Sequence, residues 1–169
     1  MAHWNLLPHL TGFRLSGPDA KAFAHSQFTT AFGEDASQGW GLTAWCNPKG
    51  RVICTMLARS RGDCVELVTS AELGDRVSKR LPTYAIGRKV EVTSGLPVGA
   101  ATDCSGSDDD QIRLLRGRGM TLEAANAELD PGFVDQWKIS DIQSGIVWLT
   151  AQNSEKHLPQ GLGLQERDG

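Results

Sequence analysis

Lys49 and Arg51 stand either side of Gly50 in the run Asn47-Pro48-Lys49-Gly50-Arg51. Two cations beside a glycine suit a solvated turn, since turns commonly carry charge. They also suit an anionic partner, because a guanidinium matches carboxylate and phosphate alike. Trp137 follows Phe133 by four residues, the spacing of one helix face. A Trp there packs a core or offers a flat wall to a ligand ring. Gln27 and Thr29 read as the polar end of a helix, and His25 as a surface residue. Asp108, Asp109 and Asp110 are adjacent, and adjacent carboxylates in an extended loop rarely converge on one ion. The four cysteines, Cys46, Cys54, Cys64 and Cys104, form no CxxC pair. Three lie in or near expected strands, where Cys is usually a small buried hydrophobe, and zinc does not suit their spacing.

The elements that must position these residues follow from pattern. Residues 12–16 read as a strand. Ser16-Gly17-Pro18-Asp19 is a helix start, with Ser16 as cap, and the helix runs to about Thr29 on a stripe of Phe23, Ala24 and Phe28. Residues 41–46 and 51–59 flank the Asn47–Gly50 turn as a β-hairpin. Residues 64–68 form the next strand. Thr69-Ser70-Ala71-Glu72 matches a capping box, and Leu73, Val77 and Leu81 give the following helix its buried face, ended by Pro82. Residues 88–93 alternate as a strand with one wet face.

Beyond this the pattern weakens. Residues 94–110, rich in Gly, Ser and Asp, read as a solvated loop. A strand is expected over 111–116, a short helix over 122–129, and a helix over 133–143 closed by Gly145. Residues 146–150 are apolar, and Trp45 and Trp148 sit in apolar contexts that suggest core. The order β-α-β-β-β-α-β over residues 12–93 implies an α+β fold, an antiparallel sheet with helices on one side. The expected organisation is an α+β subdomain over 1–93, a loop over 94–110, and a partial second subdomain with a tail over 111–169. No GxGxxG or GxxxxGK[ST] follows a strand, which argues against a dinucleotide or P-loop site.

Composition bounds the function. The chain has 169 residues, 40% hydrophobic and 22% charged, with net charge −3. That length can bury roughly two-thirds of its unfolded surface. The absence of a basic excess makes nucleic acid an unlikely direct ligand. The start, MAHWNLLPHL, has no basic region and no long apolar core, and so reads as neither signal peptide nor membrane span. Free thiols without a signal peptide lead us to expect a cytoplasmic protein.

Five segments, in order, resemble the YgfZ/GcvT-like family. They are LSGPDAKAFAHSQFT from Leu15 to Thr29, AWCNPKGR from Ala44 to Arg51, LPTYAIGRKV from Leu81 to Val90, WKISDIQSG from Trp137 to Gly145, and LPQGLGL from Leu158 to Leu164. The resemblance covers nearly the whole chain and implies a GcvT-like folate-binding domain. It implies tetrahydrofolate or a derivative as ligand, with Trp137, Lys49, Arg51, Gln27, Thr29 and Gln160 about the site. Lys49 and Arg51 would then meet the folate glutamate tail or tRNA. It implies an accessory protein in the assembly or repair of iron–sulfur proteins, and thereby in tRNA modification, with those proteins as partners.

The sequence departs from the family in four places. The K-G-C-(Y/F)-x-G-Q-E signature and the C-terminal β-barrel domain are absent from this chain and expected just beyond Gly169. Residues 94–130 are shorter than the family's, and Leu10 stands where family members carry a Trp. The related aminomethyltransferases use an Asp soon after the hairpin turn; here that stretch is Val52-Ile53-Cys54-Thr55-Met56, without a carboxylate. Aminomethyl transfer needs a charged group beside the folate nitrogen. The expectation is therefore a folate binder and not an enzyme. The alternative is a truncated or degenerate relative that binds little and acts as an interaction module. Without its barrel, the domain is expected to self-associate as a homo-oligomer.

Overall fold

The computed structural model describes residues 3–30, 39–103, 110–113 and 115–164. The described residues form a mixed α/β structure of two antiparallel sheets and three α-helices. The strands are β1 (Asn5–Leu6), β2 (Leu10–Ser16), β3 (Gly41–Cys46), β4 (Val52–Arg61), β5 (Cys64–Ser70), β6 (Glu91–Leu96), β7 (Val98–Thr102), β8 (Gln111–Ile112) and β9 (Leu115–Leu122). The helices are α1 (Ala20–Gln27), α2 (Ala71–Tyr84) and α3 (Pro131–Gln143). The larger sheet has the order β3-β4-β5-β2-β6 and the smaller β1-β7-β9-β8.

The hairpin forms where its turn chemistry demands. The Gly50 N–H donates to the Asn47 carbonyl at 2.8 Å, and Asn47 Oδ1 accepts from the Lys49 and Arg51 amides. Gly50 takes φ 77°, which L side chains rarely adopt. The register slips between Trp45 and Cys46, the bulge such turns bring. Successive strand residues point to opposite faces, and β2 shows what lies on each. A Cβ on Gly74 of α2 would sit 3.0 Å from the Thr11 methyl, whereas one on Gly12 would sit 2.5 Å from Leu122 of β9. The larger sheet therefore lies between α2 and the smaller sheet. Its layers bury Phe13, Leu15, Phe23, Trp40, Trp45, Met56, Leu67, Leu73, Val77 and Leu81.

Charge is buried between the sheets as well. Glu66 accepts from Arg59 Nε at 2.7 Å and from Arg14 Nη2 at 3.0 Å. Arg59 also reaches Asp110 at 2.6 Å and lies 4.5 Å over the Trp40 ring. The Trp40 indole N–H donates to the Met120 carbonyl at 2.6 Å, tying β9 to the larger sheet.

Several expectations fail for physical reasons. Ser16 ends β2, and Asp19 stands at the α1 N-cap with its carboxylate turned to the Lys89 amide at 2.8 Å. Phe28 leaves the helix with extended backbone and bridges Trp45. The capping box does not form: Thr69 donates to the Thr55 carbonyl, Glu72 accepts from the Ala151 amide, and α2 starts at Ala71. Pro82 lies inside α2, close enough to its end that Ala85 N–H closes the last turn on the Pro82 carbonyl. Of the loop expected over 94–110, residues 94–102 instead form the end of β6 and all of β7. Gly99 serves close packing there, since its Cβ would lie 2.6 Å from that of Ala124. Residues 104–109, with Cys104, Asp108 and Asp109, lie outside the described residues. The strand expected over 111–116 is split between β8 and β9, and the helix expected over 122–129 is absent. Leu122 completes β9, and Glu123 and Asn126 take positive φ, which no α-helix accommodates.

Candidate ligand site

The contacts place the sequence-derived site residues in separate groups. Gln27 and Thr29 meet β3 near the turn: the Trp45 indole N–H donates to Gln27 Oε1 at 3.4 Å, and Thr29 Oγ1 accepts from the Ala44 amide at 3.1 Å. Lys49 and Arg51 are exposed at the hairpin tip, where Arg51 donates to the Lys156 carbonyl at 3.0 Å. The same tail segment pairs with β4, Val52 N–H to the His157 carbonyl, and Gln160 lies just beyond, exposed, in a 3-10 turn. Trp137 lies apart from these. Its ring contacts are Arg118 and Phe133.

Around Trp137 the helix is built as its sequence directs. Asp130 caps α3, accepting from the amides of Gly132 at 2.9 Å and Phe133 at 3.3 Å, and Pro131 takes the first turn. Gly145 follows at φ 72° and closes the end. Phe133, Trp137 and Asp141 recur every fourth residue on one face. Trp137 is only 3% exposed, and Phe133 stacks on it with centroids 5.7 Å apart. The Arg118 guanidinium, from β9, lies 3.7 Å over the Trp137 ring.

Asp141 is buried on that face because two donors hold it. Arg118 Nη2 donates to one carboxylate oxygen at 2.7 Å, and the Trp148 indole N–H to the other at 2.9 Å. Trp148 is half-buried and packed against the core, as its apolar context suggests, with its polar edge committed to Asp141. His9 lies near the same helix. Burial lowers its pKa first, Lys138 lowers it further, and Asp141 pulls it back up.

Beside this cluster is a cavity of about 350 Å³ lined by Thr102, Arg118, Asp130, Gly132, Phe133, Gln136, Trp137 and Ser140. Arg118 Nε and Nη1 and the Trp137 indole nitrogen are buried and have no hydrogen-bond partner. The sequence singled out Trp137 but missed Arg118, Asp141 and His9. An aspartate in register with Phe133 and Trp137 was the signal for Asp141; nothing local marks Arg118.

The segment Val52–Met56 is wholly buried in β4 and supplies no carboxylate. Cys54 within it is shut away from solvent, which pushes its thiol up to about 12. Among the described residues no helix is long and apolar enough to cross a membrane.

No protein-family model matches the chain. An uncharacterized protein of Haemophilus influenzae is 26% identical over 165 residues, covering 92% of this chain and 59% of its own length. The chain thus spans about three-fifths of that curated relative. Among solved structures, the glycine cleavage system aminomethyltransferase T from Bartonella henselae superposes with a TM-score of 0.51 at 17% identity, over 59% of this chain and 28% of its own. The chain therefore shares the fold of an aminomethyltransferase over that part.

Proposed function

We propose that this chain is a folate-binding, non-enzymatic domain, and that a reduced folate is held in the cavity beside α3. The observation that carries this reading is the stacked Phe133–Trp137 pair with Arg118 against it, bordering a cavity of about 350 Å³ in an aminomethyltransferase-like fold. Aromatic rings and a buried cation suit a ligand made of flat rings and an acidic tail. Because Trp137 is 3% exposed and carries Arg118 on its ring, the ligand meets mainly its edge and Phe133. With no carboxylate over Val52–Met56, the chain binds the folate without aminomethyl transfer. By its resemblance to the YgfZ/GcvT-like family, the role of such binding is the upkeep of iron–sulfur proteins, tRNA-modifying ones among them. Exposed Ile139 and Ile142 on α3 and Val147 beyond it favour self-association as an accompanying property, read out by light scattering.

The test is titration with tetrahydrofolate and 5-formyl-tetrahydrofolate, followed by Trp fluorescence. Binding is expected at roughly a hundred micromolar or weaker, a modest free energy for an open pocket. Trp137→Ala should abolish it, whereas Trp148→Ala should damage stability first. A folded Trp137→Ala protein that binds as well as wild type sinks the site.

A further inference from the structure

Buried hydrogen-bond donors in a folded protein are nearly always paired, and each exception calls for a reason. Three unpaired nitrogens belong to two residues that line the cavity beside α3: Arg118 Nε, Arg118 Nη1 and Trp137 Nε1. Arg118 is 8% exposed and Trp137 3%, so bulk solvent reaches them poorly. They cannot satisfy each other, because all are donors. The guanidinium carbon lies 3.7 Å from the centre of the Trp137 ring.

The carboxylates nearby are already engaged. Asp141 takes Arg118 Nη2 and the Trp148 indole N–H, and Asp130 takes the first amides of α3. A ligand in this cavity must therefore bring acceptors. Asp130 lines the cavity and Asp141 touches Arg118, so a group that gathers two charges, as phosphate does, meets more repulsion here than a carboxylate, which carries one. A planar acceptor group with a single charge fits an unpaired guanidinium edge best. Half-buried Phe133 offers the apolar surface for the body attached to it.

We infer that the cavity beside α3 is a carboxylate site, in which Arg118 and the indole N–H of Trp137 hold the carboxylate and Phe133 covers an aromatic body. The inference rests on the folate reading only for the identity of that body; the charge recognition stands on the unpaired donors.

The experiment is calorimetric titration of the wild-type chain with 4-aminobenzoyl-glutamate, 4-aminobenzamide, inorganic phosphate and tetrahydrofolate. Saturable binding of the glutamate compound is expected, with little for the amide and the phosphate. Arg118→Gln should weaken it at least about tenfold, the order of a lost charge-assisted bond. Trp137→Phe keeps the ring and removes the donor, and should weaken it by a few-fold. Thermal melts check folding. If Arg118→Gln fails to fold, Trp137→Phe and the ligand series on wild type still decide. Equal binding of amide and acid, equal binding of phosphate, or unchanged affinity in folded Arg118→Gln overturns the inference. So does the absence of heat at about 10 mM ligand, which would mean that water alone meets these donors. Tetrahydrofolate bound equally by wild type and Arg118→Gln, without binding of the glutamate compound, removes this inference and leaves the folate reading. Binding of the glutamate compound without tetrahydrofolate does the reverse.

Discussion

Among the described residues two arginines are buried, each against a tryptophan and a carboxylate, and they are used differently. Arg59, between the sheets, lies over Trp40, with its guanidinium spread across Glu66 and Asp110. Glu66 in turn is shared with Arg14, and the Trp40 indole has its carbonyl. Arg118, beside α3, lies over Trp137 and has Asp141, yet two of its nitrogens and the Trp137 indole remain unmet. The same three residue types close on themselves in one place and stay open in the other. A closed buried network specifies a fold, while an open one costs stability unless something fills it. The contrast separates framework from site more sharply than burial does, since both arginines are buried.

The largest expected effect breaks the closed network. Glu66→Leu leaves Arg59 and Arg14 without their shared partner and should cost about 3–5 kcal/mol, as removal of one member of a buried pair does. For a chain of this size that is a fall of about 10 °C in Tm, read by calorimetry and urea unfolding. A loss under about 1 kcal/mol would mean that the inter-sheet charges do not hold the framework together.

Asp141→Asn opens the other network further. It keeps an acceptor for the Trp148 indole but removes the counter-charge of Arg118. The expected cost is about 2–3 kcal/mol, smaller than at Glu66 because the adjoining cavity admits water. Affinity for 4-aminobenzoyl-glutamate should rise in the same variant, since Arg118 is then freer. Lower stability with unchanged or lower affinity would mean that Asp141 does not compete with the ligand.

Much of the framework could be read from the chain, and the reason is local. The Asn47–Gly50 turn carries its own instructions, and Leu73, Val77 and Leu81 mark the inner face of α2 by spacing alone. What failed was decided at a distance. Residues 94–102 look like a loop because of their Gly and Ser, yet they pair with β2, β9 and β1, and Gly99 is small because Ala124 is close. Residues 122–129 carry good helix formers, but β9 claims Leu122 and Arg14 claims Glu123. The site was half legible for the same reason. Trp137 stood out by type, whereas Arg118 becomes a site residue only when β9 is laid beside α3.

A matched pair of substitutions measures the difference directly. Trp40→Phe strands the Met120 carbonyl in a buried place and should cost about 1–3 kcal/mol. Trp137→Phe removes a donor with no protein partner, so stability should move by less than about 1 kcal/mol. Equal losses in urea unfolding would erase the distinction between the two tryptophans.

The smallest effect is titration of His9, a further half-buried side chain near α3 whose ring nitrogens have no hydrogen-bond partner. Burial, then Lys138, holds its pKa below the ordinary 6.5, against the opposing pull of Asp141. In the unfolded chain the ring returns to about that ordinary value. Between the two values the unfolded state binds more protons than the folded one, so stability rises with pH through that window. The contribution is complete above pH 6.5 and declines as pH falls toward the folded value. His9→Gln removes the titration, and its melting temperature should fall less steeply than wild type between pH 7 and pH 5. Asp141→Asn removes the pull that raises the His9 pKa, so its loss at acid pH should be steeper than that of wild type. NMR titration of the His9 ring, assigned by its disappearance in His9→Gln, should give a folded pKa below 6.5. Parallel pH profiles for wild type and His9→Gln would show that His9 is as well solvated in the fold as outside it. The unmet groups beside α3 would then be confined to Arg118 and Trp137, where the carboxylate is expected to sit.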